Sequence, residues 1–197
     1  MKELTLVIPA KDEAECLPRV LDELKNFDCK KIIIIPETDL NTRNSIKNFD
    51  CKIITQKTGG FGRALILGIK EVETNFLCIF NADGSFDPQY LKNMYNELLN
   101  NCDFVFNSRY ENSGGSDDDT FLTLVGNRIF TFICNLLFRL NISDVLFTYV
   151  MGKTLAFKSL DLKRKDFRFC IELPVLAKFK KYKFISKPSY ERSRLTG

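Results

Sequence analysis

The stretch FLCIFNADGSFDP at residues 76–88 decides the fold, because it begins as a continuous apolar run and turns polar abruptly at Asn81. A continuous apolar run is typical of a strand that is buried on both faces of a sheet. Asp87 followed by Pro88 predicts the N-cap and the first position of a helix. We therefore expect Asp83 on the turn that leaves the carboxyl end of a buried strand, where ligands bind in open α/β sheets.

Three side chains of this turn carry oxygen atoms that could face a metal ion, namely Asn81, Asp83 and Ser85. Magnesium prefers oxygen ligands, and one or two carboxylates together with the phosphates of a substrate are sufficient to bind it. Aspartate and glycine are also common in turns that bind no ligand. The turn by itself leaves both interpretations open.

The composition indicates one globular domain with a sizeable core, since the chain has 197 residues, of which 45% are hydrophobic and 27% charged. The chain contains no histidine, which excludes Ser-His and Cys-His nucleophile pairs and histidine metal sites. Its seven cysteines are scattered singly, so we expect a reducing compartment and no disulfide framework. The apolar run at the N-terminus is too short for a signal peptide and predicts a first strand.

Short apolar runs alternate with helical patterns through the first half of the chain. This alternation predicts βαβ units and a mainly parallel central sheet that helices flank. Strands are predicted at residues 4–8, 32–35, 53–54, from 76 onwards, and 104–107. Helices are predicted from residue 13, after the loop 37–42, at 63–72 and at 88–99.

The pattern changes after residue 107, where a polar stretch at 113–120 predicts a mobile loop and residues 121–142 predict a long apolar helix. Four polar residues interrupt that helix: Asn127, Arg128, Asn135 and Arg139. Because a central arginine is costly in a bilayer, we expect an amphipathic or buried helix rather than a transmembrane one. A last helix is predicted at residues 170–181 and a last strand at 183–186.

Three loops follow predicted parallel strands, at residues 9–13, 37–42 and 81–85, so they should meet at one edge of the sheet and could share a nucleotide. Glu13 and Glu37 could each accept a hydrogen bond from a ribose or a base. Either alone fits a surface or capping carboxylate better, so the argument rests on the convergence of the three loops.

The glycines at residues 60 and 62 partly resemble a dinucleotide fingerprint, but the third glycine is missing and the motif follows the third strand. Their continuation through Ala64 and Gly68 favours close packing of a helix on the sheet. We therefore regard a Rossmann dehydrogenase as a weak interpretation of this segment.

Charge is distributed unevenly, since residues 151–197 carry 13 Lys and Arg against 4 Asp and Glu, whereas the chain as a whole has a net charge of +4. A basic C-terminal third indicates an anionic partner such as phosphate, nucleic acid or a membrane surface, although a solvated face has the same composition. Arg109, Arg192 and Arg194 are candidates to bind phosphate, because the guanidinium fork is bidentate and always charged. The acidic run at residues 117–119 is the ordinary arrangement before a helix N-terminus.

Six segments, in order along the chain, resemble the family 2 glycosyltransferases of GT-A fold, most closely the dolichyl-phosphate mannose or glucose synthase-like branch. The segments are IPAKDEA at 8–14, TGGFGRALILG at 58–68, FNADGSFDP at 80–88, NSRY at 107–110 with the glycines at 114–115, residues 144–153, and RLTG at 194–197. Three departures from the family pattern stand out. Pro36 and Glu37 replace an Asp pair, Asn81 replaces the first Asp of Asp-Ala-Asp, and Thr120 and Thr123 occupy positions where relatives carry Arg and Ser.

The resemblance implies a single GT-A (Rossmann-like) domain over residues 1–197, with a nucleotide-sugar half at 1–107 and an acceptor-side half at 108–197, in a chain that relatives extend further. It implies an inverting transfer from a GDP- or UDP-sugar to a polyprenyl phosphate, with Mg2+ or Mn2+ as cofactor and no nucleic-acid partner. The expected location is cytoplasmic, peripheral on the inner face of the membrane, in the synthesis of cell-envelope polysaccharide.

The resemblance and the loop pattern together give a set of expected site residues. Donor-binding residues are Pro9, Ala10, Lys11, Glu13, Glu37, Gly60, Arg63, Asn81, Ala82 and Asp83, with Asn81, Asp83 and Ser85 at the metal. Acceptor-binding residues are Arg109, Thr123, Arg192 and Arg194, and the catalytic candidates are Asp83, Asp144 and Glu172.

The acceptor class decides whether a general base is needed. A phosphate acceptor is already anionic and needs none, whereas a hydroxyl of a glycan or lipid would need Asp144 or Glu172. Two other classes stay open at this point. One is a nucleotide-sugar pyrophosphorylase, although its glycine-rich basic loop after strand one is absent, and the other is a non-catalytic membrane- or partner-binding module on the same fold.

Overall fold

The computed structural model describes residues 1–100 and 102–195, and a seven-stranded sheet forms its centre. The strands of this sheet are β1 Leu4–Pro9, β2 Lys30–Pro36, β3 Lys52–Gln56, β4 Phe76–Ile79, β5 Phe104–Ser108, β7 Val150–Lys153 and β8 Phe184–Pro188. Their order is β3-β2-β1-β4-β7-β5-β8, and every pairing is parallel except those of β7 with β4 and β5. The predicted α/β class with a mainly parallel sheet is therefore confirmed.

Helices cover both faces of this sheet, as predicted. They are α1 Leu17–Glu23 with a 3-10 turn at Leu24–Asn26, α2 Leu40–Ser45, α3 Phe61–Lys70, α4 Tyr90–Leu99, α5 Phe121–Phe138, α6 Thr154–Ser159 and α7 Phe169–Phe179. Strand β1 shows why a central strand reads as a continuous apolar run. Leu6 and Ile8 point into the core beneath α1 and α4, and Val7 points into the core beneath α3, α6 and α7.

Two helix starts differ from the prediction for local reasons. The helix after β1 begins at Leu17 rather than residue 13, with a proline in its first turn. The expectation that Asp87 caps a helix at Pro88 is wrong, because α4 begins at Tyr90. Asp87 instead accepts a hydrogen bond from the backbone N–H of Gln89 (2.9 Å), which makes a turn ahead of the helix.

The second half holds elements that the sequence pattern missed. Strand β7 was not predicted, because it is four residues long and enters the sheet from a distant segment between β4 and β5. The predicted mobile loop at 113–120 contains β6, Gly115–Ser116, which pairs in parallel with β9, Tyr190–Glu191. Helix α6 directly after β7 was also missed.

The glycines of α3 allow the helix to approach the sheet closely, as predicted. A Cβ atom at Gly68 would lie 2.7 Å from Cδ1 of Ile34 and would also clash with Val7 on the neighbouring strand. Ala64 and Leu65 are buried in the same contact. The spacing of small residues here serves packing, as expected from the sequence.

Helix α5 forms where an amphipathic or buried helix was predicted; it is not buried, and it presents its apolar side to solvent. It ends at Phe138, four residues earlier than predicted, because Arg139 adopts a left-handed conformation (φ 52°). By length and mean hydropathy (1.6) it could cross a membrane, yet only Thr131 and Cys134 are buried against the protein.

Three polar side chains of α5 point inwards, whereas most of its apolar side chains point outwards. Asn127 donates to the Tyr110 hydroxyl (3.0 Å), and Thr131 accepts from the backbone N–H of Val145 (3.2 Å). Asn135 donates to the backbone carbonyl of Ile142 (2.7 Å). We call the exposed apolar side the outer face of α5; it comprises Phe121, Leu122, Val125, Ile129, Phe130, Phe132, Ile133, Leu136 and Leu137.

Candidate active site

The turn after β4 holds one carboxylate in a fixed orientation at the carboxyl edge of the sheet. Oδ1 of Asp83 accepts hydrogen bonds from the backbone N–H (2.9 Å) and the hydroxyl (2.6 Å) of Ser85. The Ser85 hydroxyl accepts in turn from the side-chain amide of Asn81 (3.2 Å). Gly84 makes the turn possible, because it adopts a φ of +83°. Asn81 and Ser85 therefore orient Asp83, whose second oxygen, Oδ2, points towards the C-terminal segment.

The three loops at 9–13, 37–42 and 81–85 converge at this edge, as the strand pattern predicts. The backbone N–H of Asp12 donates to Asp39 Oδ2 (2.7 Å), and that of Glu13 donates to the Thr42 hydroxyl (2.9 Å). Glu13 also lies close to Asp83: partial burial, and next the charge of Asp83, raise the pKa of Glu13. The two carboxylates thus interact electrostatically at the predicted donor site.

Asp39, which was not predicted as a site residue, joins two of these loops. It caps α2 by accepting from the backbone N–H of Thr42 (3.1 Å), in addition to its bond with Asp12. Burial opposes ionisation of Asp39, but the hydrogen bonds from Asp12 and Thr42 outweigh it and lower its pKa. The predicted Glu37 is exposed and contributes its backbone N–H to the Gln56 carbonyl (3.0 Å). The spacing from Asp39 to Thr42 is that of an N-cap, which could have identified this residue.

The C-terminal segment runs along the turn and braces it. The backbone N–H of Arg192 donates to the Ser85 carbonyl (2.9 Å), and that of Leu195 donates to the Asp83 carbonyl (2.9 Å). The Arg192 guanidinium binds the Gly84 carbonyl (3.1 Å) and Glu23 (2.9 Å). This arrangement favours a bracing role for Arg192 over the predicted acceptor contact.

Arg194 lies at the donor turn rather than in a separate acceptor site. Its Nε is 3.3 Å from Asp118 Oδ2 and 3.8 Å from Asp83 Oδ2. The final two residues of the predicted RLTG motif, 196–197, lie outside the described residues.

Arg109 is buried in a cluster of carboxylates, with only 9% of its side chain exposed. Its Nε and Nη2 donate to the two oxygens of Asp144 (2.7 and 3.1 Å), and its Nη1 donates to Glu191 (3.1 Å) and lies 3.6 Å from Asp119. Burial of Arg109 favours its neutral form, but the carboxylate of Asp144 outweighs this and raises the pKa. The donors of Arg109 are thus occupied by the protein, which favours a structural role over the predicted phosphate contact.

The two predicted general bases are also engaged elsewhere. The Asp144 side chain is fully buried and pairs with Arg109 through both oxygens. Glu172 accepts from the backbone N–H groups of Lys163 (2.9 Å) and Arg164 (2.8 Å) and so holds the loop before α7. Asp144 is therefore closed to a hydroxyl acceptor in this arrangement, whereas both bonds of Glu172 are made by Oε2 of a partly exposed side chain.

The remaining predicted residues make backbone contacts, cap a helix or line the loops around the site. Gly60, with a φ of +126°, accepts from the Gln56 side chain at the start of α3 (2.9 Å). Arg63 has a buried Nε without a partner among the residues that the structure describes. Thr123 caps α5 together with Thr120, its backbone N–H donating to the Thr120 hydroxyl (3.2 Å). Lys11 is exposed, whereas the other loop residues are partly or fully buried: Pro9, Ala10 and Ala82.

A family model described as "Glycosyl transferase family 2" matches residues 5–161, a span that includes β1 to β7 and the turn with Asp83. The chain belongs to glycosyl transferase family 2. The predicted class, a family 2 glycosyltransferase of GT-A fold that uses a nucleotide sugar, is confirmed.

Solved structures of similar fold agree with this family. Glucosyl-3-phosphoglycerate synthase from Mycobacterium tuberculosis, in complex with Mn2+, UDP and glucosyl-3-phosphoglycerate, has a TM-score of 0.75 at 12% identity, covering 97% of this chain and 70% of the synthase. Mannosyl-3-phosphoglycerate synthase from Rubrobacter xylanophilus has a TM-score of 0.73 at 14% identity, covering 98% and 67%. A cytidylyltransferase from Leptospira borgpetersenii has a TM-score of 0.64 at 14% identity, covering 95% and 76%. At 12–14% identity all three matches show the fold alone, and the family match decides between the glycosyltransferase and the pyrophosphorylase interpretations.

The predicted Mg2+ or Mn2+ cofactor agrees with the metal ions named for the mycobacterial synthase, which is described with Mn2+ and also with Mg2+ and UDP. Among the residues that the structure of this chain describes, no three Cys, Asp or Glu side chains come together in a way that could hold a metal ion. The donor set at the turn consists of one oriented carboxylate with hydroxyl and amide neighbours. Such a set fits a hard cation that arrives with a diphosphate supplying further oxygen ligands.

Proposed function

We propose that this protein transfers a sugar, with inversion, from a UDP- or GDP-sugar to a polyprenyl phosphate at the inner surface of the membrane, in the synthesis of cell-envelope polysaccharide. The observation that carries the proposal is the position of the outer face of α5. The helix begins at Phe121, three residues after Asp118, and Asp118 is 3.3 Å from Arg194 beside the donor turn. An apolar surface thus starts beside the donor site, where a lipid chain and its phosphate would be needed together.

The cation would be held by Asp83, which Ser85 orients, with the remaining ligands from the diphosphate of the donor. A divalent cation bound there offsets negative charge that develops on the leaving nucleotide. Arg194 lies within reach of the same diphosphate and suits it through bidentate hydrogen bonds. The loops at 9–13 and 37–42, which Asp39 joins, are the proposed walls of the nucleotide pocket.

The burial of Asp144 supports a phosphate acceptor over a hydroxyl acceptor. A hydroxyl must lose a proton as it attacks, whereas a phosphate is already anionic. Asp144 is buried and paired with Arg109 through both oxygens, so it does not offer a base to a hydroxyl.

The acceptor is tested by transfer assays with radiolabelled UDP-glucose and GDP-mannose and three acceptors: a short polyprenyl phosphate, the matching polyprenol and 3-phosphoglycerate. We expect transfer to the polyprenyl phosphate alone, with inverted configuration at the sugar. Transfer to the polyprenol would overturn the phosphate acceptor, and transfer to 3-phosphoglycerate would overturn the lipid. Release of no nucleotide with any acceptor would favour the non-catalytic module.

Membrane association is tested separately by co-sedimentation with vesicles that contain anionic lipid. The exposed Arg128 and Arg139 lie on or directly after α5, and each basic residue near an anionic surface contributes about 1 kcal/mol, which salt screens. We expect Leu122→Gln with Leu136→Gln to abolish binding, because both leucines are on the outer face. Leu155→Gln, at an equally exposed leucine of α6 (82%), is the matched control and should bind as the wild type does. Wild-type protein that stays in solution at low salt would contradict the proposal.

A further inference from the structure

We infer that Arg194 occupies the cation position at Asp83 when no nucleotide is bound, and that it moves to the diphosphate when the donor arrives, so that cation and nucleotide bind cooperatively. The inference rests on the proposed donor site. A residue that only bound phosphate would not compete with the metal ion for Asp83, whereas Arg194 does so in this proposal.

The geometry places a positive charge where the cation would neutralise Asp83. Nε of Arg194 is 3.8 Å from Asp83 Oδ2, the oxygen that Ser85 leaves without a hydrogen bond. The guanidinium is also 3.3 Å from Asp118 Oδ2. Glu13 belongs to the same neighbourhood, since Asp83 and Arg194 both act on its charge. A single guanidinium therefore balances several carboxylates in this state.

The side chain of Arg194 can leave while its backbone stays. With 57% of the side chain exposed, its ion pairs are screened by water and are weak. The backbone on both sides is anchored, because Arg192 donates to the Ser85 carbonyl and Leu195 donates to the Asp83 carbonyl. The backbone of this segment is held in place. The guanidinium can therefore turn from the carboxylates to a diphosphate while the segment stays folded.

The effect of Arg194 on cation binding depends on whether the nucleotide is present. Without nucleotide, a cation at Asp83 must displace Arg194, and the two positive charges repel each other. With nucleotide, the diphosphate gives both a partner, since it coordinates the cation and accepts hydrogen bonds from the guanidinium. The coupling is reciprocal, so cation and nucleotide each raise the affinity for the other.

Calorimetric titrations of Mn2+ alone, and of UDP or GDP at saturating Mn2+, test the inference on the wild type and Arg194→Gln. We expect Arg194→Gln to bind Mn2+ alone about three- to tenfold more tightly and to bind the nucleotide at least about tenfold more weakly. Lys11→Gln is the charge-matched control for Mn2+ alone, because Lys11 lies on the same edge but pairs with Asp12. It should change the Mn2+ affinity less than twofold.

Opposite changes in the two affinities support the inference. If Arg194→Gln weakens both affinities, or leaves the Mn2+ affinity unchanged, Arg194 is a phosphate ligand only and the competition is refuted, while the proposed donor site stands. If Lys11→Gln tightens Mn2+ binding as much as Arg194→Gln does, the effect is one of general charge and the inference is refuted. If the wild type binds neither nucleotide with Mn2+, the proposed donor site fails, and the inference fails with it.

Discussion

Replacing Arg109 with methionine should destabilise the protein strongly, because it leaves a buried carboxylate without its partner. Asp144 is fully buried and accepts two hydrogen bonds from Arg109, whose guanidinium also packs over the Phe147 ring at 4.8 Å. Breaking a buried ion pair by removing one partner costs about 3–5 kcal/mol. For a chain of this size, that corresponds to a fall in the melting temperature of roughly 6–20 °C.

Urea unfolding followed by circular dichroism measures this loss, and a double-mutant cycle identifies its cause. Arg109→Met combined with Asp144→Leu should recover part of the lost stability, because the buried charge of Asp144 is gone while that of Glu191 still lacks its guanidinium partner. Arg168→Met is the matched control: Arg168 also makes a short pair, with Asp166 (2.6 Å), but it lies in solvent and should have little effect. If Arg109→Met lowers the free energy of unfolding by less than about 1 kcal/mol and weakens binding of the acceptor, the structural role is wrong and Arg109 binds the acceptor phosphate, as predicted from the sequence.

Two further predictions concern stability. Gly68→Ala should cost about 1–3 kcal/mol because its Cβ would overlap Val7, whereas Gly126→Ala, with open space around it, should be neutral or stabilise by up to about 1 kcal/mol; thermal unfolding distinguishes them. Asp39→Asn should destabilise the protein at neutral pH, where the carboxylate is ionised and bound to the Asp12 amide. Because the pKa of Asp39 is lowered from its usual 3.8 by folding, the difference from the wild type should shrink as the pH falls below that value, and a gap that is constant with pH would contradict this.

The first half of the fold could be predicted from the sequence because its signals are local. Strand β1 is apolar at every position except Thr5, since Leu6 and Val7 face different cores, and that run identifies a central strand without any tertiary information. Strand β7 carries no such signal, because its place between β4 and β5 depends on pairing with segments that are distant along the chain. Its antiparallel direction likewise follows from topology rather than from its four residues.

In the candidate site, too, features with a local sequence pattern could be predicted, and contacts between distant segments could not. The position of Asp83 on the turn could be predicted, because a carboxylate after a buried strand is a local pattern. The ion pairs of Arg109 were missed, since Asp144 and Glu191 come from segments 35 and 82 residues away. Helix α5 was predicted from its composition, but the reversal of its polar and apolar sides depends on contacts that Tyr110 and Ile142 supply.

The central claim is that Asp83 binds the donor through a divalent cation, and calorimetry of Asp83→Asn tests it most directly. Asparagine keeps an oxygen that can accept from Ser85, so the turn should survive while the charge is lost. UDP or GDP should bind the wild type more tightly with Mn2+ than with EDTA, and Asp83→Asn should lose that difference. Asp87→Asn, in the same segment but with a side chain that accepts hydrogen bonds from Gln89, is the control and should retain it. If Asp83→Asn keeps the Mn2+-dependent affinity, the cation is not bound through Asp83 and the account of this site is wrong.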